Sequence, residues 1–375
     1  MMLSESVLKN DEQAIYQLRS IYRQYGYSLY KVSKFEEYDL YAHNKSFLVS
    51  QNILSFTDTN GKLMALKPDV TLSIVKNISD DSKETHKLCY NETVYRTSAG
   101  SDGFREIIQT GIECIGTVDV YAESEIVLLA LKSLDAISAN NILDISHMGV
   151  LDGLLNEFDI VGSSREELIH LVESKNVHSI KSYCKKSGIP VELCQRLCAL
   201  TELYLPIHKA LPALKEIVYG EKSVAAYEKL KALCDFLSSD NVCERLYLDF
   251  SIVNDFNYYD GICFKGFIEG IPESVLSGGR YDPLLAKLGK HQSAIGFAVY
   301  LDRLERMSAN EAPYDIDTVI LYDGTTPISL IKETQTSLLN CGEQVMTVTE
   351  IPTSIRYKKL INLTNGGSEY LEEND

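Results

Sequence analysis

Two strand-length runs, KLCYNETVYR (87–96) and FREIIQTGIECIG (104–116), are joined only by TSAGSDG, and this pairing constrains the chain more than any other feature. A connection that short has no room for a crossover helix, so the runs are expected to pair as antiparallel strands. In the second run Gln109 and Glu113 have even separation, which puts them on one face with Ile107 and Gly111. An amide and a carboxylate in an otherwise apolar strand are costly to bury unless paired. They mark a polar pocket, with a solvent-facing side of the sheet as the alternative. Arg96 and Arg105 flank the loop, where guanidinium groups either clamp phosphate or carboxylate oxygens or remain solvated.

The remaining segments set the organisation. DEQAIYQLRSIYRQYGYS has helical spacing and stops at Gly26, and SFLVSQNILSFTDTNGKLMALKP carries the hairpin signal Asn60-Gly61. AESEIVLLALKSLDAIS reads as an amphipathic helix and NILDISHMG as a strand. Nearly every segment from 151 to 240 has helical periodicity, which predicts an inserted helical subdomain. Strand signals return in ERLYLDFSIVNDF and GICFKGFIEG; SGGRYD reads as a turn, and SAIGFAVYLDRLERM as the closing helix. DTVILYD, ISLIKETQTSLLN and EQVMTV then alternate strand, helix and strand. The expected fold class is α+β: an antiparallel sheet flanked by helices over 1–150 and 241–308, a helical insertion over 151–240, and a small α/β unit over 309–375.

Three further patterns could carry chemistry. LKPDVTLSIVK places Asp69 and Thr71 just before a helical pattern, where alone they read as a helix cap entered through Pro68. NDFNYYDG gives Tyr258 and Tyr259, expected on opposite faces of a strand, one packing and the other lining a site. Arg303 falls within the expected closing helix.

A net charge of −17 argues against a partner gripped through its phosphates. The imbalance is marked from Ser308 onward, with eleven Asp and Glu against four Lys and Arg. MMLSESVLKNDEQ lacks the character of a signal peptide and no apolar run approaches a bilayer's span, so a soluble cytoplasmic protein is expected. Nine cysteines without CxxC pairs or a histidine cluster predict reduced thiols and no metal site; Cys194 and Cys198 read as packing residues.

Taken in order, these segments resemble class II aminoacyl-tRNA synthetases, and the histidyl-tRNA synthetases in particular. The similarity covers about residues 10 to 310: YGY, LKPDVT for L-R-P-E-G-T, YR with GFREIIQTGIECIG for motif two, NYYDG for D-Y-Y, SGGRYD, and IGFAVYLDRLERM for motif three. The resemblance implies that Asp69, Thr71 and Gln109 hold the α-amino group of histidine. It implies that Glu113 and Tyr259, with Tyr258 beside them, read the imidazole. Arg96 and Arg303 would match arginines on the carboxylate or α-phosphate and on the γ-phosphate, making Arg96, Arg105 and Arg303 a vestigial nucleotide site.

The same resemblance exposes losses. The arginine of R-G-L-D-Y-Y is Asn254 here, the glutamate of F-R-H-E is Ser98, and the proline of motif one is Ser33. A cation aimed at a phosphoryl transition state is worth orders of magnitude in rate, so adenylation is expected to be lost. The short acidic C-terminal region is poorly suited to an RNA backbone. A synthetase-like chain that keeps a histidine pocket and loses adenylation resembles the regulatory subunits of ATP phosphoribosyltransferase. That implies a non-catalytic subunit without cofactor, tRNA or membrane, with histidine as feedback effector. Its implied partners are a short-form catalytic subunit and a second copy of itself, a dimer within a hetero-octamer. The alternatives are a divergent histidyl-tRNA synthetase, opposed by Asn254, Ser98 and the acidic tail, and a stand-alone histidine-binding or RNA-binding paralogue.

Overall fold

The structure, a computed structural model, describes residues 10–48, 52–80, 84–97, 103–238, 242–252, 258–306, 314–364 and 369–371, and divides into two units at the Met307/Ser308 junction. In the first unit α1 (Asn10–Gln24) ends at Gly26, whose φ of +84° is open to glycine at no steric cost, and leads into β1 (Ser28–Leu29). Strands β2 (Phe35–Glu37), β3 (Ser55–Thr57) and β4 (Leu63–Leu66) make a small antiparallel sheet with α2 (Tyr38–Ala42) beside it. The expected hairpin is there: Asp58 N–H bonds to the Lys62 carbonyl across Asn60-Gly61, with Gly61 at φ +79°. α3 (Thr71–Asn77) follows.

The long runs are β5 (His86–Thr97) and β6 (Phe104–Gly116), antiparallel in register from His86 opposite Ile115 to Thr97 opposite Phe104. After α4 (Val120–Ile137) and β7 (Asn141–His147) come α5 (Met148–Glu157), α6 (Gly162–Glu173), α7 (Val177–Ser187) and α8 (Val191–Glu202). A short strand, β8 (Tyr204–Pro206), interrupts the helices before α9 (Ile207–Ile217) and α10 (Glu221–Leu237). The chain closes with β9 (Leu246–Asp249), β10 (Ile262–Ile268), β11 (Leu276–Arg280), α11 (Asp282–Lys287) and β12 (Ser293–Tyr300). These strands form one nine-stranded sheet in the order β1-β5-β6-β12-β11-β10-β7-β9-β8, antiparallel except at β1/β5 and β7/β9.

Three expectations are corrected. SAIGFAVY is the central strand β12, not a helix, and Leu301–Arg306 after it is a 3-10 turn. A central strand is buried on both faces and reads as an unbroken apolar run, which periodicity alone does not separate from a buried helix. SGGR is strand β11 rather than a turn. A Cβ at Gly279 would lie 2.6 Å from the Ile262 carbonyl oxygen and 2.7 Å from the Tyr259 ring, so the glycines there admit close packing. Finally, α4 is buried almost all round rather than amphipathic. Its buried acids are paired, Glu123 with Arg280 at 2.7 Å and Glu125 with Lys87 at 2.5 Å.

One apolar cluster runs from α1 through α4 and helices α5 to α10 to β12, and each fully buried Leu or Ile in it contributes about 1.5–3 kcal/mol. In the second unit β13 (Ile316–Leu321), α12 (Ile328–Asn340) and β14 (Val345–Val348) form the expected strand–helix–strand, the two strands pairing in parallel, extended by β15 (Tyr357–Asn362) and β16 (Glu369–Leu371). Among the described residues no helix is long and apolar enough to cross a membrane.

A buried ion pair fixes the segment between β4 and α3. Lys67 is fully buried, its Nζ 2.5 Å from Glu92 Oε2 on β5, while Glu92 Oε1 accepts the Val32 N–H at 2.9 Å. Lys67 N–H bonds to the Lys34 carbonyl, and its own carbonyl accepts the Tyr95 N–H. Removing the cation leaves Glu92 uncompensated, so Lys67→Met is expected to destabilise the protein by about 3–5 kcal/mol in urea unfolding. Adding Glu92→Gln should recover most of that loss; no recovery in the double variant would contradict this account.

Candidate functional site

The central strands carry a cavity of about 380 Å³, within the range of small-molecule sites. Register builds its floor: Gln109 lies opposite Tyr300 and Glu113 opposite Gly296 across β6/β12, and all four line the cavity. Glycine at 296 is required because a Cβ would collide with the Glu113 carboxylate. Walls come from elsewhere in the chain, including Phe47, Leu48, Asp69, Thr71, Ile252, Tyr258 and Tyr259.

Glu113 is the most tightly held group. It is only 2% exposed; Thr71 Oγ1 donates to its Oε1 at 2.7 Å and the Tyr281 hydroxyl to its Oε2 at 2.6 Å. Burial pushes its pKa up to about 8, the two hydroxyls pull it back only partly, and Asp69 nearby adds to the rise. Asp69 does cap α3, since its Oδ1 accepts the Leu72 N–H at 2.8 Å, and it faces the cavity as well. Burial raises its pKa too, against the pull of Arg96, whose Nη2 lies 3.9 Å from Asp69 Oδ2. The Arg96 Nε donates to the Pro68 carbonyl at 2.8 Å, which leaves its guanidinium on the cavity wall. Gln109 is 2% exposed, and among the described residues its Nε2 has no hydrogen-bond partner. A buried donor of that kind is satisfied by a ligand or water.

Asp69, Thr71, Arg96, Gln109, Glu113, Tyr258 and Tyr259 therefore all line one cavity. The two tyrosines do not point to opposite faces of a strand. They lie outside the strands, and their rings meet edge-on at 4.7 Å and 70° on the same cavity wall, because alternation holds only where the chain is extended. Arg303 lies in the 3-10 turn after β12, stacked at 4.3 Å over the Tyr300 ring with Nη1 donating to the Ser274 carbonyl, and also lines the cavity. Arg105 is exposed opposite Arg96 in register and lies outside the cavity lining. Ser98 and Asn254 lie outside the described residues.

Sequence reasoning assigned no role to Tyr281, Tyr90 or Lys265, which also line the cavity. Tyr281 follows the SGG of SGGRY, and Lys265 breaks the apolar run GICFKGF two residues after Cys263 on the same face. Both carried a visible signal. Among the described residues no group of three or more His, Cys, Asp or Glu is arranged to hold a metal ion.

Residues 3–304 match the histidyl-tRNA synthetase family. An ATP phosphoribosyltransferase regulatory subunit from Caldanaerobacter subterraneus is 31% identical over 302 residues, 78% of this chain and 78% of its own. The chain belongs to this family. Within the histidyl-tRNA synthetase relatives it groups with the regulatory subunits of ATP phosphoribosyltransferase. The crystal structure of an ATP phosphoribosyltransferase regulatory subunit/histidyl-tRNA synthetase from Bacillus halodurans superposes with a TM-score of 0.78 at 24% identity over 97% of this chain and 96% of that one, which shows the shared fold. A chain of the ATP phosphoribosyltransferase (HisG:HisZ) complex from Thermotoga maritima superposes at 0.62, 22% identical, over 78% of this chain and 97% of its own. The class II synthetase-like architecture expected from the motifs is thus the one found.

The raised pKa of Glu113 gives stability a pH slope. The unfolded chain ionises this group near 4.5 and the ligand-free folded protein only near about 8, so its contribution is fully present below pH 4.5 and lost as pH rises through 8. Glu113→Gln should therefore lose less stability than the native chain between those limits, by up to a few kcal/mol. Urea unfolding of both proteins across that range checks this; parallel curves would contradict the assignment.

Proposed function

We propose that this chain is a histidine sensor that binds free L-histidine in the cavity and regulates a short-form ATP phosphoribosyltransferase catalytic subunit at the first step of histidine biosynthesis. The observation that carries the reading is the Thr71–Glu113–Tyr281 arrangement, a buried carboxyl on the cavity floor suited to an imidazole nitrogen. Asp69, Thr71 and Gln109 surround the place of the α-amino group, Arg96 that of the carboxylate, and Tyr258 and Tyr259 close over the ring. Membership among the regulatory subunits supports the role, and the Thermotoga HisG:HisZ complex supports the pairing. The chain acts in the cytoplasm as a dimer within a hetero-octamer, and histidine favours the less active assembly by binding it more tightly. Asn254 in place of the adenylating arginine favours binding over activation.

The expected result is that the chain activates phosphoribosyl-ATP formation by the catalytic subunit and that added histidine reverses the activation. No effect on the partner, combined with histidine-dependent ATP–pyrophosphate exchange by this chain alone, would favour the synthetase reading instead.

Proton counting adds a sharper expectation. The complex shares one proton between Glu113 and the imidazole, whichever side holds it. Between an imidazole pKa of about 6.5 and about 8, the free partners already carry that one proton, on Glu113. Affinity should be level there. It should fall below that window, where a proton must leave, and above it, where one must be taken up. Glu113→Gln should weaken binding by about 1–3 kcal/mol and remove the upper fall, measured by calorimetric titration from pH 5.5 to 9. Native-like affinity in that variant would move the imidazole away from Glu113.

A further inference from the structure

The helical insertion packs on the turn that carries Ile252 to the cavity wall, and one residue beside that contact has an unusual backbone. Lys175, just past the end of α6, has φ +51°, a left-handed conformation that non-glycine side chains rarely adopt. Such positions normally fall to glycine, and strain of this kind persists where surrounding contacts hold the residue in place. Here the contacts are specific. The Lys175 Nζ lies 2.7 Å from Asp249 Oδ2 at the end of β9 and 4.6 Å above the ring of Tyr204 on β8. Asp249 is 4% exposed, and its other oxygen accepts the Ser251 N–H at 2.8 Å, shaping the 3-10 turn Phe250–Ile252. That turn packs against α6 and α8, and its last residue, Ile252, lines the cavity and clusters with Met148, Cys263 and Tyr259.

A second carboxylate makes the lysine's position more than a packing detail. Asp144 accepts the Tyr204 hydroxyl at 3.4 Å and is pushed up to about 7, first by burial and then by Asp249 beside it. Lys265 pairs with Asp144 in register, feels the charge of Asp249, and lines the cavity near Arg303. Lys175 therefore compensates Asp249 from the insertion side, while Lys265 faces the same anions from the cavity side.

We propose that Lys175 is a positioning residue through which the helical insertion sets the part of the cavity wall formed by Ile252 and Tyr259, so that a shift of the insertion changes affinity for the ligand. This rests on the histidine reading for the identity of that ligand, and on geometry alone for the contact. Lys175 does not touch the ligand; it acts through Asp249.

The substitution Lys175→Gly removes the ion pair, while relief of the backbone at that φ offsets part of the cost of leaving Asp249 uncompensated. Three measurements on the full chain apply. Thermal unfolding of Lys175→Gly should show a smaller loss of midpoint than Lys175→Ala, which removes the same ion pair and keeps the strained backbone. Hydrogen–deuterium exchange of the ligand-free variant should be faster in peptides covering 246–252 and 258–264 than in the native protein. Calorimetric titration should show histidine binding about fivefold weaker or more, with Lys175→Arg restoring it. Unchanged exchange in those peptides overturns the proposal, and so does unchanged affinity. Native protein that fails to bind histidine would count against the functional reading, and the exchange result would then decide the contact by itself. Should Lys175→Gly not fold, Asp249→Asn serves, since it removes the lysine's anion and leaves residue 175 untouched; the same exchange criterion applies.

Discussion

A carboxyl group buried in the middle of a sheet is tolerated only when the surrounding chain is arranged for it, and Glu113 sets that requirement here. Its space is left by Gly296 on the neighbouring strand, and its two oxygens are occupied by hydroxyls from the start of α3 and from the β11/α11 junction. The start of α3 and the β11–α11–β12 stretch, far apart in sequence, are thus tied to one side chain. The period of two along β6 makes this all-or-none. A slip of one residue against β12 would turn Gln109 and Glu113 to the other face and bring a side chain against each glycine space.

The second anchor stands beside the first. Asp69 and Thr71 approach the cavity because the chain before them is held at Lys67, whose buried ammonium meets Glu92 directly across β5/β6 from Gln109. The helix cap made by Asp69 then orients the segment, so a local interaction and a site interaction share one carboxylate. Arg96, two strand positions beyond Val94 on β5, closes the group by bonding the carbonyl of Pro68. The cap reading of LKPDVT is met by the bond to Leu72, and the same segment still places Asp69 and Thr71 on the cavity wall, so capping does not exclude a site role.

Legibility in the sequence followed the strength of local rules. The β5/β6 pair, the Asn60-Gly61 hairpin and the strand–helix–strand of the second unit rest on short connections, a turn signature and clear period changes, and all were readable. The even spacing of Gln109 and Glu113 placed both on the cavity floor for the same reason. What failed were segments whose burial comes from several neighbours. SAIGFAVY is apolar on both faces because Ile295, Phe297 and Val299 enter one apolar cluster and Ala294 another, α4 is buried because the sheet and two helices enclose it, and the glycines of β11 serve packing rather than a turn. The paired orientation of Tyr258 and Tyr259 could not follow from a strand rule, because no strand carries them. Tyr281 lay inside a motif already quoted, and only the three-dimensional contact with Glu113 gave it a role.

The division between a floor of strands and walls from outside the sheet fits the sensing role proposed for the site. Its floor consists of central strands bonded on both sides, and close-packed interiors of that kind do not deform gradually. Its walls, at Phe47 and Leu48, at Asp69 to Thr71, and at Ile252 with Tyr258 and Tyr259, come from turns and helix starts outside the sheet. A ligand shifts an assembly only by its difference in affinity between two arrangements, so that difference must arise at the walls. An adenylating enzyme would need fixed charge aimed at a reacting phosphorus, which demands rigidity on every side. On the proposed reading, a floor that takes the imidazole, beneath walls set by other elements, would meet the separate demand of reporting occupancy to a partner.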